Sequence, residues 1–249
     1  MRVNDMVAII SDLQSEPGRA AGKALAAAGA NVAGFCSSAK AADTLAQIES
    51  AGGKCVLVDG RPANPADAER LVKETLVQFG RIDVLVNNGD PTSTHGRVTG
   101  TIFDVTDEEF DGQMDSDAKA IIVLSRTVVP AMAKQGSGSI INFSSVASAG
   151  VKGRAMRSLS KAAVNALTCA MALDHGPDGI RVNALLTGPL GGPQFSPEQV
   201  QQLASEAALK HLHTRDDEAN AILFLSSDQS RSITGALIPL DAGRSLAQH

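Results

Sequence analysis

Tyrosine and tryptophan are both absent from this chain of 249 residues, and seven phenylalanines are its only aromatic side chains. Without a phenol, proton transfer through tyrosine is excluded, and the pure chain should absorb almost no near-ultraviolet light. Cysteine is scarce. Cys36, Cys55 and Cys169 are odd in number and far apart, with no C-x-x-C pair and no clustered histidines. That excludes a disulfide framework, gives no support for a metal site, and predicts buried thiols in a reducing cytoplasm. Positive charge is not blocked together: the net charge of −5 argues against nucleic acid or an anionic membrane surface as partner. No apolar run approaches the roughly 20 residues of a membrane helix. Arg2 and Asp5 flank only a short apolar run, so no signal peptide is expected.

What is present is an ordinary globular composition, 43% hydrophobic and 20% charged, in a length suited to one well-buried domain, taken as 1–249. Short apolar runs alternate with longer helical patterns. The runs are Val7–Ile10, Val32–Phe35, Val56–Val58, Val84–Val86, Ser139–Phe143, Arg181–Leu186 and Ala236–Pro239. Helical patterns include Gly18–Ala28, Ala66–Phe79, Asp107–Lys134, Arg157–Asp174, Pro197–Leu209 and Asp216–Leu225. Continuous Val/Ile/Leu runs mark strands buried on both faces, and the alternation predicts an α/β fold. It is a doubly wound, Rossmann-type parallel sheet of about seven strands flanked by helices.

Several motifs carry a more specific resemblance. Gly80–Asn88 reads as a strand ending in an Asn-Asn turn, Gly138–Ser145 as a strand delivering serines, and Lys161–Val164 as part of a helix pattern. Ile180–Ala184, Ile233–Ala236 and Leu240–Gly243 complete the order. Together they resemble the short-chain dehydrogenase/reductase (SDR) family over nearly the whole chain. The resemblance implies the SDR fold, a nicotinamide cofactor site, and a catalytic Asn, Ser, Tyr and Lys.

The cofactor motifs depart from the family. Its first turn, T-G-x-x-x-G-x-G, brings the pyrophosphate onto the positive end of a helix. Here the turn is Ser11-Asp12-Leu13-Gln14-Ser15-Glu16-Pro17-Gly18, with acids in place of two of the three glycines. Asp12 and Glu16 are expected to crowd and repel a phosphate and to cap the helix themselves, while Pro17 suits a first helical turn. Cys36-Ser37-Ser38 offers neither an acid for a ribose nor a cation for a 2′-phosphate. Asn87-Asn88-Gly89-Asp90 adds an acid beside the adenosine site. Thr187-Gly188 and Gly192 replace the family's Pro-Gly and Thr, removing a hydroxyl for the nicotinamide amide. Asp59 alone matches, as the adenine-contacting acid. The expectation is that this chain binds no cofactor.

The family's catalytic set is damaged in the same way. The resemblance places Asp117 at the Asn, Ser145 or Ser144 at the Ser, Arg157 at the Tyr and Lys161 at the Lys. The spacing from serine to helix is about one residue short, so it does not choose between the serines. Arginine stays charged and cannot shuttle a proton. Arg157 and Lys161 lie one helical turn apart, two cations that need an anion, and Asp117 is expected to pair with Arg157. Between Pro189 and Asp216 the substrate lid is reduced, with His211 and His213 expected in a solvated loop.

Two helical stretches, Ile121–Pro130 and Ala162–Leu173, are more apolar than one core stripe requires, and in the SDR family such helices pack across a twofold axis. Assembly motifs are kept where chemistry motifs are lost. The first expectation is a non-catalytic subunit, a pseudoenzyme, paired two plus two with an active SDR paralogue that carries NAD. The second is a nicotinamide-independent lyase or isomerase using Arg157 and Lys161 to bind an anion. A ligand-sensing homo-oligomer is third, and an ordinary dehydrogenase last.

Overall fold

In the computed structural model, which describes residues 3–89, 99–191 and 195–248, seven parallel strands form one sheet in the order β3-β2-β1-β4-β5-β6-β7. The strands are β1 (Val7–Ile10), β2 (Asn31–Phe35), β3 (Cys55–Val58), β4 (Val84–Asn87), β5 (Gly138–Ser145), β6 (Ile180–Thr187) and β7 (Leu237–Leu240). Each apolar run of the sequence became a strand: β1 has the expected bounds, and every other strand end lies within two residues of its run. Alternate residues face opposite cores. Ile9, Leu85 and Ile140 meet one helical layer, and Ile10, Val86 and Ile141 meet the other. Each fully buried side chain of this size contributes about 1.5–3 kcal/mol of transfer free energy. The fully buried strands of this sheet therefore fix the register.

The first layer comprises α3 (Pro65–Phe79), α5 (Ala120–Gln135) and α6 (Ala155–His175). The second comprises α1 (Glu16–Ala27), α2 (Ser38–Ser50) and α8 (Arg215–Ser226). The single helical pattern read over Asp107–Lys134 is divided in the structure. It holds α4 (Asp107–Met114), a π-helical turn over Asp115–Lys119, and α5. A π turn is a local widening that recurs at functional sites, and Asp117 sits in its middle. The remaining helix, α7 (Pro197–Glu206), begins with a capping box in which Ser196 and Gln199 cap each other.

Strand order reverses between β1 and β4, and the C-terminal ends of those strands are where a doubly wound sheet places its ligand. No helix among the described residues is long and apolar enough to cross a membrane.

Candidate functional site

At the β1–β4 switch point the chain bonds to itself. Ser15 caps α1, its hydroxyl accepting from the Gly18 N–H at 3.3 Å and donating to the Asp12 carbonyl at 2.9 Å. Asp12 Oδ1 accepts from the Ser15 N–H at 3.2 Å. Asn88 latches the turn from β4, donating to the Asp12 carbonyl at 2.9 Å and accepting from the Asp12 N–H at 2.9 Å. Gly18 is retained for a steric reason within the turn, since a Cβ there would lie 1.9 Å from the Asp12 carbonyl oxygen.

The residues toward β2 close on one another too. Gln14, buried, reaches across to Ser37, its Oε1 accepting from the Ser37 hydroxyl at 2.7 Å and N–H at 3.1 Å. Cys36 is buried against Thr44. Asp59, the one matching cofactor residue, accepts from the Ser38 hydroxyl at 2.8 Å at the start of α2. Glu16 turns away from the turn's interior to meet Arg215 at 3.3 Å and is largely exposed. Glu16 thus faces Arg215, and Gln14, which the sequence did not single out, makes the bond toward α2. Asp90 and Gly192 lie outside the described residues. Asp12 precedes a helix start whose Gly18 amide is already capped by Ser15, and Gln14 bridges to Ser37 at the start of α2. These residues do not fit a dinucleotide.

Asn87 belongs to the interior. Its amide donates to Asn142 at 2.8 Å and to Ser125 at 3.3 Å, and Asn142 donates to Thr168 at 2.9 Å. This buried chain ties α5, β4, β5 and α6 together. Asn87 also borders the small cleft that Asp117 and Lys161 line.

The catalytic positions are partly assembled. Lys161 Nζ lies 2.9 Å from Asp117 Oδ1 and 3.2 Å from the Phe143 carbonyl. Ser160 and Gln113 each donate to Asp117 Oδ2 at 2.7 Å. The expected Asp117–Arg157 pair is therefore corrected to Asp117–Lys161. The π turn aims Asp117 at the inner face of α6, where Lys161 and Ser160 emerge. Burial alone would raise the Asp117 carboxyl, but the Lys161 charge and these hydrogen bonds outweigh it and hold the group below its usual range. Both members are about nine-tenths buried.

Ser144 and Ser145 point to opposite sides of β5. Ser144 donates to Asn165 at 2.6 Å. Ser145 lines a cavity and donates to the Thr187 carbonyl at 3.2 Å while accepting from the Ala147 N–H at 3.2 Å. Ser145 is thus the serine that faces a site, a choice the shortened spacing could not make. The Thr187 hydroxyl donates to the Ser144 carbonyl at 3.3 Å, joining β6 to β5.

That cavity, about 450 Å³, lies between β5, the start of α6, the segment after β6 and the C-terminal tail. Arg154, Arg157 and Arg244 line it with Ser145 and Ser245. Lys161 lines a separate, very small cleft with Asp117. Arg157 and Lys161, paired in the second expectation, thus border different cavities, and Lys161 is engaged by Asp117. The loop histidines divide as well. His211 is exposed, but His213 is buried, with Nε2 3.2 Å from Glu218, which Arg215 also contacts at 2.7 Å. His213 sits at the start of α8, and docking of that helix on α1 carries it inside.

A family model described as enoyl-(acyl carrier protein) reductase matches residues 17–245. An uncharacterized oxidoreductase of Thermotoga maritima is 35% identical over 98% of both chains. The chain belongs to the short-chain dehydrogenase/reductase family. The 2-(R)-hydroxypropyl-CoM dehydrogenase of Xanthobacter autotrophicus is 32% identical, covering 94% of this chain and 96% of that relative. Among solved SDR structures, levodione reductase superposes with a TM-score of 0.90 at 26% identity, over 99% of this chain and 100% of that one. NAD+-bound xylitol dehydrogenase, at 24% identity and a TM-score of 0.87 over 98% and 100%, shares the fold. The seven-stranded parallel sheet is the frame that this chain shares with those structures.

Proposed function

We propose that this chain is a non-catalytic SDR subunit. It binds no NAD itself and assembles in the cytoplasm, two plus two, with an active SDR paralogue that carries the NAD and the chemistry. The observation that carries the reading is the state of the catalytic lysine. Lys161 is tied to a buried carboxylate, and the residue one turn before it is an arginine that cannot release a proton at neutral pH. The closed turn around Gln14, Ser15 and Asn88 supports the same conclusion.

The outer face of the same helix supports assembly. Leu159, Ala162, Ala166, Ala170 and Leu173 form an exposed stripe along α6 with no charged member. Leu173 is 80% exposed and Leu159 48%. Beside it an apolar groove of about 250 Å³ runs between α5 and α6, bordered by Ile122, Val129, Leu167 and Met171. Small residues at the centre of the stripe let another helix approach closely, and an SDR partner offers the equivalent helix pair. Such a pairing resembles 2-(hydroxybenzyl)succinyl-CoA dehydrogenase of anaerobic toluene degradation, an SDR of unlike subunits. On that analogy the complex acts on a CoA-linked aromatic hydroxyacid.

Native mass spectrometry of the tagged chain, purified from its own host, tests the proposal. The expected mass is that of two copies of this chain, two of a second SDR-sized polypeptide, and NAD in proportion to the second. A homo-oligomer without such a partner overturns it.

One observation favours a second reading, the cluster of three arginines around the cavity. A nicotinamide-independent lyase or isomerase, or a ligand-sensing homo-oligomer, would use Arg157 there without Lys161. An isolated chain with turnover that Arg157→Ala abolishes would establish the enzyme form of it.

A further inference from the structure

The geometry points to a binding site for a small organic carboxylate with an apolar body, in the 450 Å³ cavity beyond β5 and β6. Its size falls within the range of about 300–1,000 Å³ usual for small-molecule sites. Three guanidinium groups, from Arg154, Arg157 and Arg244, border it, and none of the described residues lining it is acidic. A guanidinium has five N–H donors, so one that already holds a protein acceptor can still bind a carboxylate. Arg244 is such a case, since its guanidinium is bonded to Glu206, which holds it in place.

The backbone adds charge of the same sign. Arg154 is the N-terminal cap of α6, and that helix has neither an acid in its first turn nor a capping side chain. Helix starts usually attract acids because the dipole is positive there. This one instead carries two arginines, an arrangement that an anion in the cavity stabilises. The opposite wall is preorganised by Asp241, which accepts from the Ser245 N–H at 2.7 Å and the Gly243 N–H at 2.9 Å. Burial would raise the Asp241 carboxyl, but the hydrogen bonds from Ser245 and Gly243 outweigh it and keep it ionised and acting as a clasp.

The remaining wall decides the kind of anion. Val146, Ala147, Val151, Pro189 and Phe195 present carbon to the cavity. Inorganic phosphate would leave that surface unfilled. A carboxylate attached to an aliphatic or aromatic body matches both parts. This inference stands without a partner chain and does not depend on the subunit assignment.

Titration calorimetry on the full chain with 3-phenylpropanoate, 3-phenylpropanamide and inorganic phosphate is the test. The carboxylate should bind about tenfold or more tightly than the amide and more tightly than phosphate. Arg154→Gln should weaken it about tenfold with an unchanged melting temperature, and Arg154→Lys should restore little, because an ammonium cannot form the bidentate pair. Equal affinity for amide and carboxylate, tighter binding of phosphate, or no binding of any of the three overturns the inference. Should Arg154→Gln fail to fold, ionic strength decides on the unaltered chain. Carboxylate affinity should fall as salt rises, and an affinity indifferent to salt overturns the assignment.

Discussion

The two halves of one sheet edge have had different fates. Over β1 and β2, where a doubly wound fold holds its nucleotide, side chains meet one another: Gln14 with Ser37, Asp59 with Ser38, Asn88 with the Asp12 turn. Over β5 and β6 a cavity remains, bordered by three arginines. Between them lies the Asp117–Lys161 pair, which resembles a catalytic site in position and a core ion pair in its bonding. The difference teaches that side chains bonded together at one end of the sheet need not close the other, because each end is built from separate loops.

The largest effect should come from the element between the halves. Lys161→Ala leaves a buried carboxylate without its cation, a change that costs about 3–5 kcal/mol in comparable pairs. Urea denaturation should show that loss as a lower midpoint. A variant as stable as the parent would mean that Lys161 is poised for chemistry, and the comparison between the halves would fail there.

Acid titration sharpens the same point. The folded Asp117 carboxyl lies below its unfolded value of about 3.9. Its contribution is therefore complete above roughly pH 4 and is lost as pH falls through the folded value. Denaturation midpoints of Asp117→Asn and the parent should accordingly differ by a constant amount from neutral pH down to that region, then converge. Convergence beginning near neutrality would contradict the pairing.

Next comes the nucleotide half. Gly18→Ala places a methyl group 1.9 Å from a backbone oxygen, so the turn must shift, with an expected cost of about 1–3 kcal/mol. Asp12→Gly with Glu16→Gly should still fail to bind NADH, followed by the cofactor's own fluorescence, because Gln14 continues to hold Ser37 at the start of α2. Adding Gln14→Ala should give measurable affinity. NADH binding by the double variant would shift the obstruction from Gln14 to the acids. Arg157→Tyr alone should yield no dehydrogenase turnover. Smallest of all, Glu16→Ala should leave the denaturation midpoint within scatter, since exposed ion pairs contribute about 0–1 kcal/mol.

Much of this was legible in the chain. The strands carry short, mostly apolar runs between helical patterns, so each was visible within a residue or two. Absence of tyrosine needed no structure to be read. What escaped depended on direction. Spacing could not say which of Ser144 and Ser145 faces a cavity, because adjacent strand residues point to opposite sides. The Asp117 partner was misread because a π turn rotates that side chain toward Lys161, and no periodicity announces a π turn. His213 looked like loop and is buried, since docking of α8 covers it. Gln14 drew no notice because its partner, Ser37, is 23 residues away.

The sequence by itself determined the strands, the family and the absence of any tyrosine, because these rest on residue identity and on patterns that are local in the chain. Only the tertiary structure decided which cation Asp117 neutralises, which serine lines the cavity, and that Arg244 of the C-terminal tail joins Arg154 and Arg157 around it. Those are questions of where side chains meet, and contacts between distant segments are set by packing rather than by order along the backbone.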